Sequence, residues 1–295
     1  MGRAGDRARR AARIVGRSVR VAAKAKLNLA LAVVGKRDDG YHELRSVFVT
    51  LDLADDVRVA PHKRLEVRNT LPLDGEDLAA RAVTALARAT GREPFAFVSI
   101  RKRIPLAAGM GGGSSDAAAT LHGLAQLWRV DADLMRIGAE LGSDVPFFAS
   151  GARAAFVSGR GELVRALAPP RDPIDVVVLR PPLRLPTAEV FGSFTMSDRV
   201  AASRVEQLVS AFEQGRVTPD VIRTYAANDL LAAAERQCEA ITTWRTAAAA
   251  RGIPLFLTGS GPTLFAVADD RGDAVRVARI LTRAGMRAHP HKICV

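Results

Sequence analysis

An α+β fold in two domains is what this sequence predicts, and three observations carry the prediction. The chain has 295 residues, roughly two domains of length. Its first part is β-rich and then helical, and a second α+β unit follows. A proline-rich break, Pro169-Pro170-Arg171-Asp172-Pro173, lies between them. Apolar residues make up 48% and charged residues 25%, ordinary for a soluble globular protein. Wholesale disorder, collagen-like and disulfide-rich classes are thereby excluded. The division expected is a disordered basic tail over residues 1–17, an N-terminal domain over 18–168 and a C-terminal domain over 174–295.

The elements follow in order. Residues 18–34 read as strand: Ser18-Val19-Arg20-Val21 alternates, and Leu27 to Val34 is apolar apart from Asn28. Gly35 to Gly40 is a polar turn with glycine at both ends. Ser46 to Leu53 is a second strand, and Asp55 to Ala60 with Leu65 to Val67 continues the β pattern. Residues 77–90 place Leu78, Ala82, Val83, Leu86 and Ala89 on one helical face, with Asp77 to cap the start and Gly91 to close the end. Phe95 to Ile100 alternates as a strand. Helices follow over about Ser114–Trp128, with Ala117, Leu121, Leu124 and Trp128 on one stripe, and Asp131–Leu141, ended by Gly142. Beyond the proline break, Ile174–Leu179 is a buried strand. Helices near 202–214, 217–224 and 230–250 come next. Strands 255–258 and 264–267 and a helix over 272–284 complete the chain.

Charge and cysteine usage limit the function classes. The net charge is +12, but seven arginines and one aspartate in residues 1–20 hold half of it. That tail lacks an apolar core, so it is not a secretory signal. It reads as a disordered extension, with a transit peptide or a nucleic-acid or membrane-surface arm as alternatives. Aromatics are 5%, too few for base-stacking platforms. No run of 18 apolar residues spans a membrane. Cys238 and Cys294 lie far apart and suit a reducing, cytoplasmic compartment. His62, His122 and His289 read as surface or packing residues.

The sharpest signal is Pro105-Leu106-Ala107-Ala108-Gly109-Met110-Gly111-Gly112-Gly113-Ser114-Ser115-Asp116. Four glycines in five positions bare backbone N–H groups, and a helix begins directly after. Together they form a cradle for a polyanion. Ser114 and Ser115 can cap that helix and offer hydroxyls to phosphate or to phosphate-bound magnesium. The pattern is not GxxxxGK[ST], nor does a dinucleotide-binding βαβ unit surround it.

This loop resembles the phosphate-binding motif of the GHMP kinase superfamily. Ala25-Lys26-Leu27-Asn28-Leu29 followed by Asp39-Gly40-Tyr41-His42-Glu43-Leu44 resembles the N-terminal signature of the 4-diphosphocytidyl-2-C-methyl-D-erythritol kinase family within it. Leu141-Gly142-Ser143-Asp144-Val145-Pro146-Phe147-Phe148 is similar to that family's catalytic segment. Thr258-Gly259-Ser260-Gly261-Pro262-Thr263-Leu264-Phe265 resembles the superfamily's C-terminal glycine motif. The resemblance runs from about residue 18 to the end, with the four motifs in order. It implies an N-terminal domain like the second domain of ribosomal protein S5, a ferredoxin-like C-terminal domain, and a site in the cleft between them.

Phosphoryl transfer to a hydroxyl needs a phosphate cradle, a carboxylate beside the hydroxyl and a cation for that carboxylate or the developing charge. The residues alone leave Asp144 as either a helix cap or a base; the resemblance implies the catalytic base. Lys26 is either a solvated strand-end lysine or the partner of Asp144, and the resemblance implies the partner, with Asn28 bonding substrate or orienting the pair. Lys102, in the basic run Arg101-Lys102-Arg103, is implied to lie beside the ATP nucleoside, with Pro105 to Ser115 around the phosphates. Tyr41 and His42 are implied to read a cytosine ring. Gly259, Ser260 and Gly261 are implied to close over the acceptor, and Thr187 and Phe191 resemble residues on the cytidine side. Two departures stand out. Asp77 replaces an asparagine that the family often carries facing the nucleotide, and Ala107-Ala108 replaces glycines.

The implied activity is ATP-dependent phosphorylation of the 2-hydroxyl of 4-diphosphocytidyl-2-C-methyl-D-erythritol, in the non-mevalonate isoprenoid route. Magnesium is implied with the ATP, with no dedicated protein-only metal site. The expected partners are small molecules, not nucleic acid or membrane, on a monomer or weak homodimer. Another GHMP kinase acting on homoserine or a mevalonate derivative is the nearest alternative. A non-catalytic binder using the basic tail is the alternative from another class.

Overall fold

A computed structural model describes residues 13–15, 18–72 and 77–295. Its spine is one long antiparallel hairpin, Ser18–Lys36 with His42–Pro61, closed by the Arg37 N–H donating to the Tyr41 carbonyl at 2.8 Å. Where the sequence suggests two strands, 46–53 and 55–60, the chain runs on without a break. Irregularities in the first strand, between Lys24 and Lys26, Asn28 and Ala30, and Val33 and Gly35, take up the bending. Ala25 to Val33 are buried throughout, Lys26 and Asn28 included.

The second spine strand joins the rest of the protein. Along its free edge it pairs in turn with Ala154–Gly159, with Ile293 at Leu51, and with Ala96–Arg101. The helices Leu78–Thr90, Gly112–Trp128 and Leu134–Leu141 cover one end of the sheet. The second half of the chain forms a four-stranded antiparallel sheet in the order Phe256–Leu257, Leu264–Val267, Ile174–Leu179, Ala288–Ile293. Helices Glu239–Ala249 and Arg271–Arg283 pack on it. One core cluster draws on both halves, with Leu27, Leu29 and Val49 against Val176, Phe212 and Phe265. Among the described residues no helix is long and apolar enough to cross a membrane.

Most helices start and stop where their caps predict. Asp77 accepts from the Ala79 N–H at 2.8 Å, and Gly91 takes a left-handed φ of 63°. The helix after the glycine loop differs. It begins at Gly112, with Gly111 as N-cap at φ 69°, so Ser114 and Ser115 lie inside the first turn and do not cap it. The expected helix over 131–141 starts at Leu134 behind Asp133. The expected helix over 230–250 is broken at Cys238, whose extended backbone (φ −146°, ψ 92°) separates Leu231–Gln237 from Glu239–Ala249. Of the expected tail, residues 1–12, 16 and 17 lie outside the described residues, and Arg13–Val15 pairs antiparallel with Ser18 to Arg20.

Two backbone turns meet where the halves join. A Cβ added at Gly109 (φ 70°) would lie 2.7 Å from the Thr258 carbonyl oxygen, and one at Gly259 would lie 2.9 Å from that of Gly109. Gly91 has a similar φ of 63° with nothing within 4 Å. Gly91→Ala is therefore expected to cost about 1 kcal/mol, the left-handed penalty alone. Gly109→Ala should add the clash and cost about 2–4 kcal/mol. Urea unfolding of the two variants side by side checks this; equal losses would show that the turns are free to part.

Candidate active site

The cleft is built outward from Lys26. The irregularity in the spine strand turns this residue inward, and its backbone N–H donates to the Met110 carbonyl at 3.0 Å. A lysine at this place in a sequence normally reaches solvent, but this one is buried, with 4% of its side chain exposed. Its Nζ donates to Asn28 Oδ1 at 2.6 Å, lies 3.6 Å from Asp144 Oδ2 and stands 4.8 Å from the centre of the Phe48 ring. Burial pulls the ammonium below the usual lysine range, and Asp144 pulls it back up. Lys24, the neighbouring lysine, points away, with Nζ 3.1 Å from Cys294 Sγ.

Asp144 stands at the N-cap position of the short helix Val145–Ala149, yet its backbone is α-helical (φ −86°, ψ −12°) and its side chain makes no cap bond. The carboxylate pairs with Lys26 instead, which removes the capping alternative. Asn28 lines the cleft with most of its hydrogen-bonding groups engaged and one Nδ2 N–H left over. Its Oδ1 accepts from Lys26 and from the Thr258 hydroxyl at 3.3 Å, its Nδ2 donates to Ser46 Oγ at 3.0 Å, and its N–H donates to Thr258 Oγ1 at 2.8 Å. The geometry is that of an orienting residue, tying Lys26 to the C-terminal glycine motif.

The glycine loop forms one wall. Ala107 (φ 50°), Gly109 (φ 70°) and Gly111 (φ 69°) all take left-handed conformations, and Ala107 does so without being glycine. The first intrahelical bond runs from the Ser115 N–H to the Gly111 carbonyl. The N–H groups of Gly112, Gly113 and Ser114 precede it and carry the positive end of the helix dipole. Pro105 to Gly109, Gly111 to Ser114, Asp77 and Leu78 line the cleft. Met110 and Ser115 turn away into the core, as does Gly261, whose added Cβ would meet Leu257 at 2.9 Å.

Behind the loop lies a buried ion triad. Lys102 is not part of a solvated basic run: 1% of its side chain is exposed, and Nζ pairs with Asp55 Oδ2 at 2.5 Å and Asp116 Oδ2 at 2.6 Å. Asp55 Oδ1 also accepts the backbone N–H groups of Arg103 and Ile104. Burial pushes the Asp116 carboxyl up to about 8 against the pull of Lys102, and the lysine, pulled down by burial but held by Asp116 and Asp55, stays above its usual range.

The opposite wall is aromatic. The His42 ring stacks on Phe191 at 5.1 Å and meets Phe194 edge-on at 5.8 Å, while Tyr41 stays exposed. Burial, with the charge of Lys36 behind it, holds the His42 imidazole below its usual range. Thr187 Oγ1 lies 2.9 Å from Ser260 Oγ, and both residues line the cleft with Gly259. These groups share one cleft of about 1440 Å³ with Lys26, Asn28 and Lys102, larger than a typical small-ligand pocket. Sequence reasoning missed several of its lining residues, Lys36, Asp116, Ser143, Arg160 and Arg184. Asp116 belongs to the glycine-loop motif and Ser143 to the segment before Asp144; the others carry no spacing signal.

Comparison with known proteins fits this geometry. Residues 77–152 match the GHMP kinases N terminal domain, and residues 220–287 match the GHMP kinases C terminal domain. The chain is 42% identical to the 4-diphosphocytidyl-2-C-methyl-D-erythritol kinase of Anaeromyxobacter dehalogenans over 85% of this chain and 81% of that protein. It is 38% identical to the enzyme of the same name from Rhodococcus jostii over 92% and 91%. A crystal structure of 4-(cytidine 5'-diphospho)-2C-methyl-D-erythritol kinase superposes with a TM-score of 0.78 at 35% identity, covering 94% of this chain and 99% of that one. A homoserine kinase from Cytophaga hutchinsonii shares the fold, with a TM-score of 0.69 at 16% identity over 96% of each chain.

The two buried lysines should answer the same substitution differently. Lys26→Met removes a desolvated charge whose carboxylate partner is 28% exposed and keeps access to water. Its unfolding free energy should stay within about 1 kcal/mol of the parent or rise. Lys102→Met strands the buried Asp55 carboxylate, with Asp116 left as the neutral acid, and should cost about 3–5 kcal/mol. Chemical denaturation at pH 7 reads both; a large loss in Lys26→Met would make that lysine a structural group.

Proposed function

The chain belongs to the 4-diphosphocytidyl-2-C-methyl-D-erythritol kinases of the GHMP family, and we propose that its cleft transfers the γ-phosphoryl of ATP to the 2-hydroxyl of that acceptor in the non-mevalonate isoprenoid route. The single observation that carries the reading is the pairing of buried Lys26 with Asp144 in a cleft with a glycine-rich phosphate wall and an aromatic wall. In this reading ATP lies along the glycine loop, its phosphates on the N–H groups of Gly112 to Ser114. The Ser114 hydroxyl is the protein group that would hold a triphosphate-bound magnesium, which would neutralise phosphate charge there. Asp77 and Lys102 line the nucleoside end. Asp77 already spends one carboxylate oxygen on the Ala79 N–H.

The acceptor's cytosine is read by Tyr41 and His42, with Phe191 behind the imidazole and Thr187 nearby. Its hydroxyl is presented to Asp144. The hydroxyl oxygen forms a bond to the γ-phosphorus as the bond to the β,γ-bridging oxygen breaks. The hydroxyl proton passes to the Asp144 carboxylate, and ADP leaves. Lys26, fixed by Asn28, balances the carboxylate and the charge that develops beside it. Gly259 and Ser260 bound the acceptor side. We read the enzyme as cytoplasmic and as a monomer or weak homodimer, and its two free thiols suit that compartment.

ADP release with ATP–magnesium tests the assignment. The cytidylylated methylerythritol should give acceptor-dependent turnover, and homoserine and mevalonate phosphate should give none. Asp144→Asn should lower kcat by about 10²–10⁴ and leave the KM for ATP unchanged. Tyr41→Ala with His42→Ala should raise the KM for the acceptor and spare ATP binding. Turnover with homoserine instead would keep the fold and move the substrate.

A further inference from the structure

Arg160 is absent from every motif above, yet it lines the cleft. It sits at the tip of the hairpin formed by Ala154–Gly159 and Leu163–Leu167, between two glycines with positive φ, Gly159 (74°) and Gly161 (126°). That tip is wedged at both sides. The Gly159 N–H donates to Glu43 Oε1 at 3.1 Å, two residues from Tyr41, and a Cβ added at Gly161 would lie 3.1 Å from that of Ser143, next to Asp144. The Arg160 backbone N–H donates to Glu162 Oε2 at 2.7 Å. Its guanidinium carbon stands 5.3 Å from the centre of the Tyr41 ring, and Nη2 donates to the Ala139 carbonyl at 3.2 Å. Asp39, a carboxylate that feels its charge, is paired with Arg37 instead.

We propose that Arg160 clamps the diphosphate of the acceptor between the aromatic wall and the catalytic carboxylate. The inference rests on the kinase reading above. With the cytosine at Tyr41 and His42 and the reacting hydroxyl at Asp144, the diphosphate must cross the space between, and the Arg160 tip touches both ends of it. A planar guanidinium has five N–H donors, and the Ala139 carbonyl takes one of them. The rest suit a phosphate pair. The other cleft cations are placed elsewhere. Lys26 and Lys102 are committed to carboxylates. Lys36 pairs in register with His42 at the aromatic end. Arg184 lies near Arg180, whose Nη2 holds the Leu106 carbonyl of the glycine loop. Stacking on Tyr41 gives Arg160 a second task, since the same group orients the ring that reads the base.

The test compares cytidine with cytidine diphosphate by calorimetric titration, with a non-hydrolysable ATP analogue saturating the nucleotide site. The parent should bind the diphosphate more tightly than cytidine. Arg160→Met should weaken cytidine diphosphate at least tenfold and cytidine less than threefold, and Arg160→Lys should recover part of the loss. In turnover, Arg160→Met should lower kcat/KM for the acceptor mainly through KM, with the KM for ATP unchanged. Equal weakening of both ligands would reduce Arg160 to a brace for Tyr41 and overturn the clamp, as would unchanged binding of the diphosphate. Absence of acceptor-dependent ADP from the parent would strike the kinase reading alone, because the paired titrations still decide the role of Arg160.

Discussion

Where the two halves of the chain meet, backbone lies directly on backbone. Gly109 of the phosphate loop and the turn from Thr258 to Gly261 approach so closely that neither Gly109 nor Gly259 has room for a β-carbon. The rest of the cleft takes its position from this contact. Thr258 bonds Asn28, Asn28 bonds Lys26, and Lys26 faces Asp144. Asn228 secures the far side, its Nδ2 donating to the carbonyls of Leu257 and Gly259. A motif in one half thus fixes the Lys26–Asp144 pair in the other through two side chains, Thr258 and Asn28, and no long lever arm.

The two buried lysines of the cleft show how burial sorts similar residues into different tasks. Lys102 is enclosed by two carboxylates, and the triad ties the strand carrying Asp55 to the helix carrying Asp116. Lys26 has one carboxylate at a looser 3.6 Å, a neutral amide and an aromatic face. Its charge is less well compensated, and that leaves electrostatic potential available to a reacting group. Tight pairing suits a fastener, and loose pairing suits a site.

Much of this was legible in the sequence, for reasons that differ by element. The helix over 78–90 announces itself through Asp77, Gly91 and a clean apolar stripe. The glycine loop does so through glycine density. Lys26 does not: by its position it reads as a solvated strand-end lysine, and only the resemblance implies its pairing with Asp144. The serine caps were misplaced because a glycine in the left-handed region can begin a helix without any side chain, so the helix starts among the glycines. The triad was hidden because Asp55 and Lys102 are 47 positions apart and each looks like an ordinary surface charge. The hairpin carrying Arg160 gave no periodic signal. Neither did the strand Ala288–Ile293, whose His-Pro-His-Lys centre reads as loop although it lies inside the sheet. Such elements are specified by their neighbours, not by their own pattern.

That last strand bears on how the protein is made. It lies between Ile174–Leu179 and the spine strand, touching the latter through Ile293 and Leu51. A growing chain can close the spine hairpin early, since its two strands are neighbours in sequence. The central position of the sheet stays vacant until residue 293 has left the ribosome. During that interval Ile174–Leu179 presents an unpaired edge and the spine strand a gap at Leu51, open to mispairing or to chaperones. The nascent polypeptide therefore carries its glycine loop and Asp144 before the strand that unites the two halves of the sheet has been made.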